Sequence, residues 1–134
     1  MAHIKELKLL IVDDRIDYYD LIKECAELSN NSVHVVCKYA PTGEEALGLL
    51  GSWEPAVILL DLHSASHQGV ELLRRCNEGL TRVIATSEAS GPEVEKWAMQ
   101  NGASHYVSKS EDPEEIEELL GQVEALSELS NTLH

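Results

Sequence analysis

Hydrophobic and polar positions follow two different periods along this chain. Short runs that are apolar or alternate with polar residues occur at "LKLLIV" (Leu7 to Val12), "VHVVCK" (Val33 to Lys38), "AVILL" (Ala56 to Leu60), "RVIAT" (Arg82 to Thr86) and "HYVSK" (His105 to Lys109). Runs of this length and composition predict β-strands. The first, third and fourth are nearly continuous in apolar residues, as expected of strands covered on both faces. Between them the period lengthens: Tyr18, Leu21, Ile22, Cys25 and Leu28 recur at helical spacing, and so do Ile116, Leu119, Leu120, Val123 and Leu126. Helix-end chemistry marks the other helices. Thr42 with Glu45 and Ser90 with Glu93 have capping-box spacing, Asp112 with Pro113 forms an N-cap and first-turn pair, and Asn101 with Gly102 closes a helix. Strand and helix thus alternate five times, which predicts an α/β fold around a parallel sheet. No internal repeat, low-complexity tract or linker interrupts the pattern, so the chain reads as a single unit.

Composition narrows this picture. At 134 residues with 43% hydrophobic content, the chain can bury a core without metal or disulfide staples. No apolar segment has the length of a membrane span, and the charged start "MAHIKELKLL" does not read as a signal peptide, so a soluble cytoplasmic protein with no membrane contact is expected. Cys25, Cys37 and Cys76 lack metal-type spacing and sit in apolar patterns, which predicts buried thiols in a reducing compartment. A formal charge of -14 argues against direct nucleic-acid binding, which relies on clustered Lys and Arg. The acids concentrate after Lys109, where no Lys or Arg follows, and they read as a solvated helix face.

Candidate chemistry lies at the strand ends, because open parallel sheets bind ligands outside the carboxyl ends of their strands. The strands end on Asp13 and Asp14, on Asp61, on Thr86 with Ser87, and on Lys109. Carboxylates gathered there would repel by roughly 4 kcal/mol per close pair at a surface-like dielectric. One lysine cannot offset three acids, whereas Mg²⁺ binds through one or two carboxylates and keeps open positions for a phosphate.

These residues resemble the receiver domain of bacterial two-component response regulators, from about Lys8 to about Leu126. "LLIVDD" resembles that family's acidic pair, and "VILLD", followed eight residues later by Gly69 and then "VELL", its phosphoacceptor segment. "VIATSEA" is similar to the strand-four Thr motif, and "GASHYVSK" to the strand-five segment with its aromatic and its Lys. The resemblance implies a (βα)5 doubly wound sandwich with a CheY-like strand order 2-1-3-4-5. It implies that residues 1–134 form one receiver with no output domain in this chain, acting as a phosphoacceptor that catalyses its own phosphorylation rather than as a turnover enzyme. Asp61 would take a phosphoryl group from a histidine kinase or phosphotransfer protein. Asp14, Asp61 and the backbone carbonyl of His63 would coordinate Mg²⁺ (or Mn²⁺), with Asp13 contributing directly or through water. Lys109 and Thr86 would contact the phosphoryl group, Tyr106 would turn inward as Thr86 moves, and His63 and Glu88 would set the phosphoryl lifetime. A downstream protein or a fused output domain would read the switch.

Taken singly, these residues have plainer roles. Asp13 and Asp14 could cap a helix, Thr86 and Tyr106 could be ordinary strand residues, and Lys109 a solvated strand end; it is their joint placement that favours the phosphoacceptor site. No role falls to His3, His34, His67, His105 or His134. Ser64 and Ala65 stand where the family has Met-Pro, which implies a looser loop after Asp61. Ser110 replaces the Pro after Lys109, so that peptide bond is either trans with a different turn or cis at a cost of about 3 kcal/mol. These departures support an alternative, a pseudo-receiver that binds partners without phosphorylation. A haloacid-dehalogenase-type phosphohydrolase is a third reading, against which stands the absence of a D-x-D motif at Asp13 or Asp61. The acidic last helix also argues against the charge-paired dimer common among transcription-factor receivers.

Overall fold

A computed structural model describes residues 5–29, 33–88 and 91–132, with the segments 65–68 and 129–132 described by their backbone alone. The elements alternate as β1 (Lys5–Val12), α1 (Ile16–Leu28), β2 (Val33–Ala40), α2 (Gly43–Trp53), β3 (Val57–Asp61), α3 (Leu62–Asn77), β4 (Arg82–Ser87), α4 (Pro92–Gln100), β5 (His105–Ser108) and α5 (Pro113–Thr132). The strands pair in parallel in the order β2-β1-β3-β4-β5, so β1 and β3 mark the point where the connections change direction. Register places Val12 beside Leu60 and Asp61 beside Thr86, which brings the strand ends level at one edge.

The period-two alternation of the strands divides the core between the two faces of the sheet. Leu9, Ile11, Leu59 and Ile84 pack with Tyr18 and Ile22 of α1 and with Ile116, Leu119, Leu120, Val123 and Leu126 of α5. Leu10, Val12, Ile58, Leu60 and Ala85 face Ala46 of α2, Leu72, Leu73 and Cys76 of α3, and Ala98 of α4. Each fully buried Leu or Ile stabilises the fold by roughly 1.5–3 kcal/mol. The continuous apolar runs are indeed the inner strands, every residue of β3 being buried, while β2 and β5 lie at the edges and are partly exposed.

The strand limits differ from the sequence reading at polar residues. β1 starts at the exposed Lys5, β2 runs on to Ala40, β3 ends on Asp61 itself, and β5 stops before Lys109, since ladder bonds extend through residues that hydropathy does not mark. Thr42 caps α2 by accepting from the Glu45 N–H at 3.2 Å, and Asp112 accepts from the Glu114 N–H at 3.0 Å to open α5. Gly91 is the N-cap of α4 ahead of Pro92; Ser90 lies outside the described residues, as do His3 and His134 and the side chains of Ala65 and His67. Gly102, at φ +107°, follows α4 in a conformation that favours glycine, and a Cβ there would displace the exposed Asn77 side chain.

Of the cysteines only Cys76 is buried; Cys25 and Cys37 are half-buried, because their outward sides are not covered by another element. Burial pushes the thiols up, Cys37 to about 11 and Cys76 to about 12, which leaves them protonated and unreactive. Leu28, which fits the apolar stripe of α1, is 77% exposed at the helix end. Trp53, at the end of α2, receives a 3.1 Å hydrogen bond on its carbonyl from Lys8 Nζ, and its ring lies beneath Lys8 and Lys38 at 5.8 and 5.1 Å from the centroid. Trp97, on α4, faces solvent.

Candidate functional site

The carboxyl edge of the sheet collects the charged strand ends. Asp13 follows β1 directly and is fixed at its backbone by a 3.1 Å bond from its N–H to the Ala40 carbonyl. Its side chain is 1% exposed and accepts from the Arg15 N–H at 2.9 Å. Asp14 is exposed, while Asp61, the last residue of β3, is 3% exposed. One carboxylate oxygen from each of the three lies within 4.8 Å of the others.

Lys109 enters from the end of β5, where its N–H bonds the Ser87 carbonyl at 3.0 Å. Its Nζ lies 2.6 Å from Asp13 Oδ2, 3.8 Å from Asp61 Oδ2 and 4.7 Å from the centroid of the Tyr18 ring. The Asp13 and Lys109 side chains are almost entirely buried, so each relies on the other: an unpaired buried charge is costly, and the close contact offsets that cost. Burial raises the Asp13 carboxyl above its usual range, and Lys109 and the Arg15 N–H act against that rise. The Lys109–Ser110 bond is trans, and Ser110 instead turns the chain into α5 by accepting from the Asp112 N–H at 3.0 Å.

No loop follows Asp61. α3 begins at Leu62, with Asp61 as its N-cap accepting from the Ser64 N–H at 3.3 Å. The Ser64 hydroxyl donates to Asp61 Oδ2 at 2.5 Å and accepts from the Asp14 N–H at 2.9 Å, thereby joining the ends of β1 and β3. The looser segment expected from Ser64 and Ala65 is therefore replaced by a capped helix. His63 consequently lies in the first helical turn, where carbonyls point toward the helix C-terminus and pair along it. His63 stays beside Asp61 on the wall of the cleft, in the first turn of α3. What points at Asp61 is a helix N-terminus, which favours negative charge.

Thr86 is buried beside Asp61 in the ladder, and its hydroxyl donates to the Leu60 carbonyl at 3.4 Å. Tyr106 is half-buried on the face covered by α2, α3 and α4. Asp61 and Lys109 open onto a cleft of about 340 Å³ that is also lined by Asp14, Arg15, His63, Ser87 and Glu88. Both residues expected to affect a phosphoryl lifetime, His63 and Glu88, thus lie on the wall of the cavity that holds Asp61.

Sequence reasoning missed the cleft residue Arg15 altogether and gave Ser64 no bond to Asp61. Arg15 contacts Asp17 at 2.8 Å, Glu88 at 2.9 Å and Glu111 at 2.6 Å. These pairs push its guanidinium above its ordinary range and hold the Asp17 carboxyl below the usual carboxylate range. The available signal for Ser64 was the Asp-x-x-Ser spacing from Asp61, a helix start hidden by its position at the end of a strand.

The acid trio provides hard oxygen donors, two of them lining the cleft, and so fits a small divalent cation; the nearby Lys109 and α3 N-terminus suit an anion beside it. A parallel sheet of order 2-1-3-4-5 that gathers this trio, a threonine and a lysine at its carboxyl edge defines the receiver class of signalling domains. The sequence profile of the response regulator receiver domain matches residues 9–121, and the chain belongs to that family. It is 31% identical over 126 residues to an uncharacterized 14.6 kDa protein in the sodA1 3' region of Leptolyngbya boryana, covering 91% of this chain and 93% of that one. The receiver domain of the Francisella response regulator 1452 superposes with a TM-score of 0.75 at 26% identity, over 92% of this chain and 98% of that one. A CheY-like receiver domain protein from Methanospirillum hungatei shares the fold with a TM-score of 0.77 at 21% identity, over 97% of this chain and 100% of its own. Among the described residues, no helix is long and apolar enough to cross a membrane.

Proposed function

We propose that this receiver is controlled by phosphorylation of Asp61. A carboxylate oxygen of Asp61 attacks the phosphorus of a phosphohistidine on a histidine kinase or phosphotransfer protein. The phosphorus–nitrogen bond breaks, the imidazole leaves with the bonding pair, and Asp61 becomes an acyl phosphate. Asp13, Asp14 and Asp61 would hold Mg²⁺, which supplies charge neutralisation around the transferring group. Lys109 adds a fixed positive charge beside Asp61, and the α3 N-terminus receives developing negative charge. Thr86 then exchanges the Leu60 carbonyl for a phosphoryl oxygen, and the displacement gives Tyr106 room to turn inward. His63 and Glu88, on the cleft wall, govern the approach of the water that hydrolyses the acyl phosphate. The protein is a stoichiometric phosphoacceptor rather than a turnover enzyme, and a downstream protein or an output domain reads its state.

The observation that carries this reading is the convergence of three carboxylates, two of them buried, with a buried lysine beside an open cleft. Incubation with Mg²⁺ and acetyl phosphate is expected to add one phosphoryl group by intact mass in the wild type and none in Asp61→Asn. A wild type that takes up no phosphoryl group sinks the proposal. The pseudo-receiver reading is favoured by the Ser64 hydroxyl, which occupies Asp61 Oδ2 at 2.5 Å. The same measurement separates the two, because a pseudo-receiver stays unlabelled.

A further inference from the structure

Arg15 lies outside the acid trio but lines the same cleft as Asp61. Its guanidinium is divided among three carboxylates, one in the first turn of α1 and two in connections: Asp17, Glu88 after β4 and Glu111 after β5. Glu88 and Glu111 lie 73 and 96 residues away in sequence, so one side chain ties together three segments that leave the carboxyl edge. The carboxylates remain exposed, at 68%, 66% and 63% respectively. Exposed pairs of this kind are weak and exchange readily. A dianion in the cleft would offer the planar guanidinium a bidentate partner of higher charge in a less hydrated place.

We propose that Arg15 is a phosphoryl-operated latch. Without modification it holds the connections after β4 and β5 through Glu88 and Glu111. A phosphoryl group on Asp61 draws Arg15 off these carboxylates, which then lose the cation between them, and both connections are released. The inference rests on Asp61 being the phosphoacceptor. Its particular content is that the stimulus reaches two segments through a side chain of the β1–α1 connection, in addition to any movement of Thr86.

Amide hydrogen exchange read residue by residue tests the latch in two arms. In the unmodified protein, Arg15→Gln should exchange about threefold faster at Glu88 and Glu111, while β3 amides stay unchanged. Arg15→Lys keeps the charge without the fork and should fall between. The double variant Glu88→Gln with Glu111→Gln should reproduce the fast exchange with Arg15 intact, which covers the case in which Arg15→Gln fails to fold. Unchanged exchange in these variants overturns the latch, whether or not Asp61 accepts phosphate. In the second arm, wild type labelled with Mg²⁺ and acetyl phosphate should exchange at Glu88 and Glu111 as fast as unlabelled Arg15→Gln, and labelling Arg15→Gln should add little. Labelled wild type with unchanged exchange overturns the release and leaves the receiver function standing. Wild type that takes no label overturns the receiver reading and the phosphoryl control of the latch together.

Discussion

Lys109 and Arg15 serve the same edge of the sheet and approach their carboxylates equally closely, at 2.6 Å from Asp13 and 2.6 Å from Glu111. Their surroundings differ. The Lys109 and Asp13 side chains are 4% and 1% exposed, whereas those of Arg15 and Glu111 are 36% and 63% exposed. In the first pair both charges are held almost out of reach of water, so the contact is kept by the penalty for breaking it. In the second, water competes at every moment and salt screens what remains. Equal distance therefore does not mean equal strength: the buried pair fixes the site, and the exposed network is free to change partners.

Breaking the buried pair should have the largest effect. Lys109→Met leaves Asp13 enclosed without a counter-ion and is expected to cost about 3–5 kcal/mol in urea denaturation. Adding Asp13→Leu should recover most of that loss, because a buried pair replaced by apolar residues is often neutral. A Lys109→Met loss as small as that of a surface substitution would show that water reaches the pair. Next in size is Ser64→Ala, which removes the 2.5 Å bond to Asp61 and the 2.9 Å bond from the Asp14 N–H. It should lower stability by about 1 kcal/mol and speed labelling of Asp61 by acetyl phosphate, since the oxygen that Ser64 occupies becomes free; slower labelling would mean that Ser64 positions the nucleophile instead.

Smaller still is Arg15→Gln, expected to leave the denaturation midpoint almost unchanged. Raising the salt concentration to roughly 1 M, where the screening length is about 3 Å, should make wild type resemble this variant while Lys109→Met remains distinct. A salt-insensitive difference between wild type and Arg15→Gln would contradict the contrast. The finest test is the Asp17 carboxyl, which Arg15 holds below its ordinary value of 3.8. A depressed carboxylate stabilises the fold above that value, and the contribution is lost as pH falls through the lower folded-state midpoint. By NMR titration the midpoint should return toward 3.8 in Arg15→Gln; an unmoved midpoint would remove Arg15 as the cause.

The fold was legible because its signals are local. Apolar runs such as Val57 to Leu60 and the helical stripe from Ile116 to Leu126 need only neighbouring residues to be recognised, and both are buried as the pattern requires. The acid trio was legible for a topological reason: Asp13, Asp14 and Asp61 end strands that the fold class aligns at one edge. The start of α3 was not, because Asp61 ends a strand and caps a helix at once, and the strand signal hides the cap. The same double duty places His63 in the first turn of a helix. Arg15 was harder still. It follows the acidic pair in sequence, but its partners Glu88 and Glu111 are brought near only by the assembled sheet, and no periodicity encodes which exposed carboxylates one long side chain will reach.

The chain has two tryptophans and no phenylalanine. Trp53 is held beneath Lys8 and Lys38, with its carbonyl bonded to Lys8, while Trp97 is 42% exposed on α4, the helix that follows the Glu88 segment. The molecule therefore contains an optical reporter and its own reference. Emission from Trp97 should follow changes in hydration as the segment before α4 moves, and emission from Trp53, in contact with Lys8 and Lys38, should stay constant.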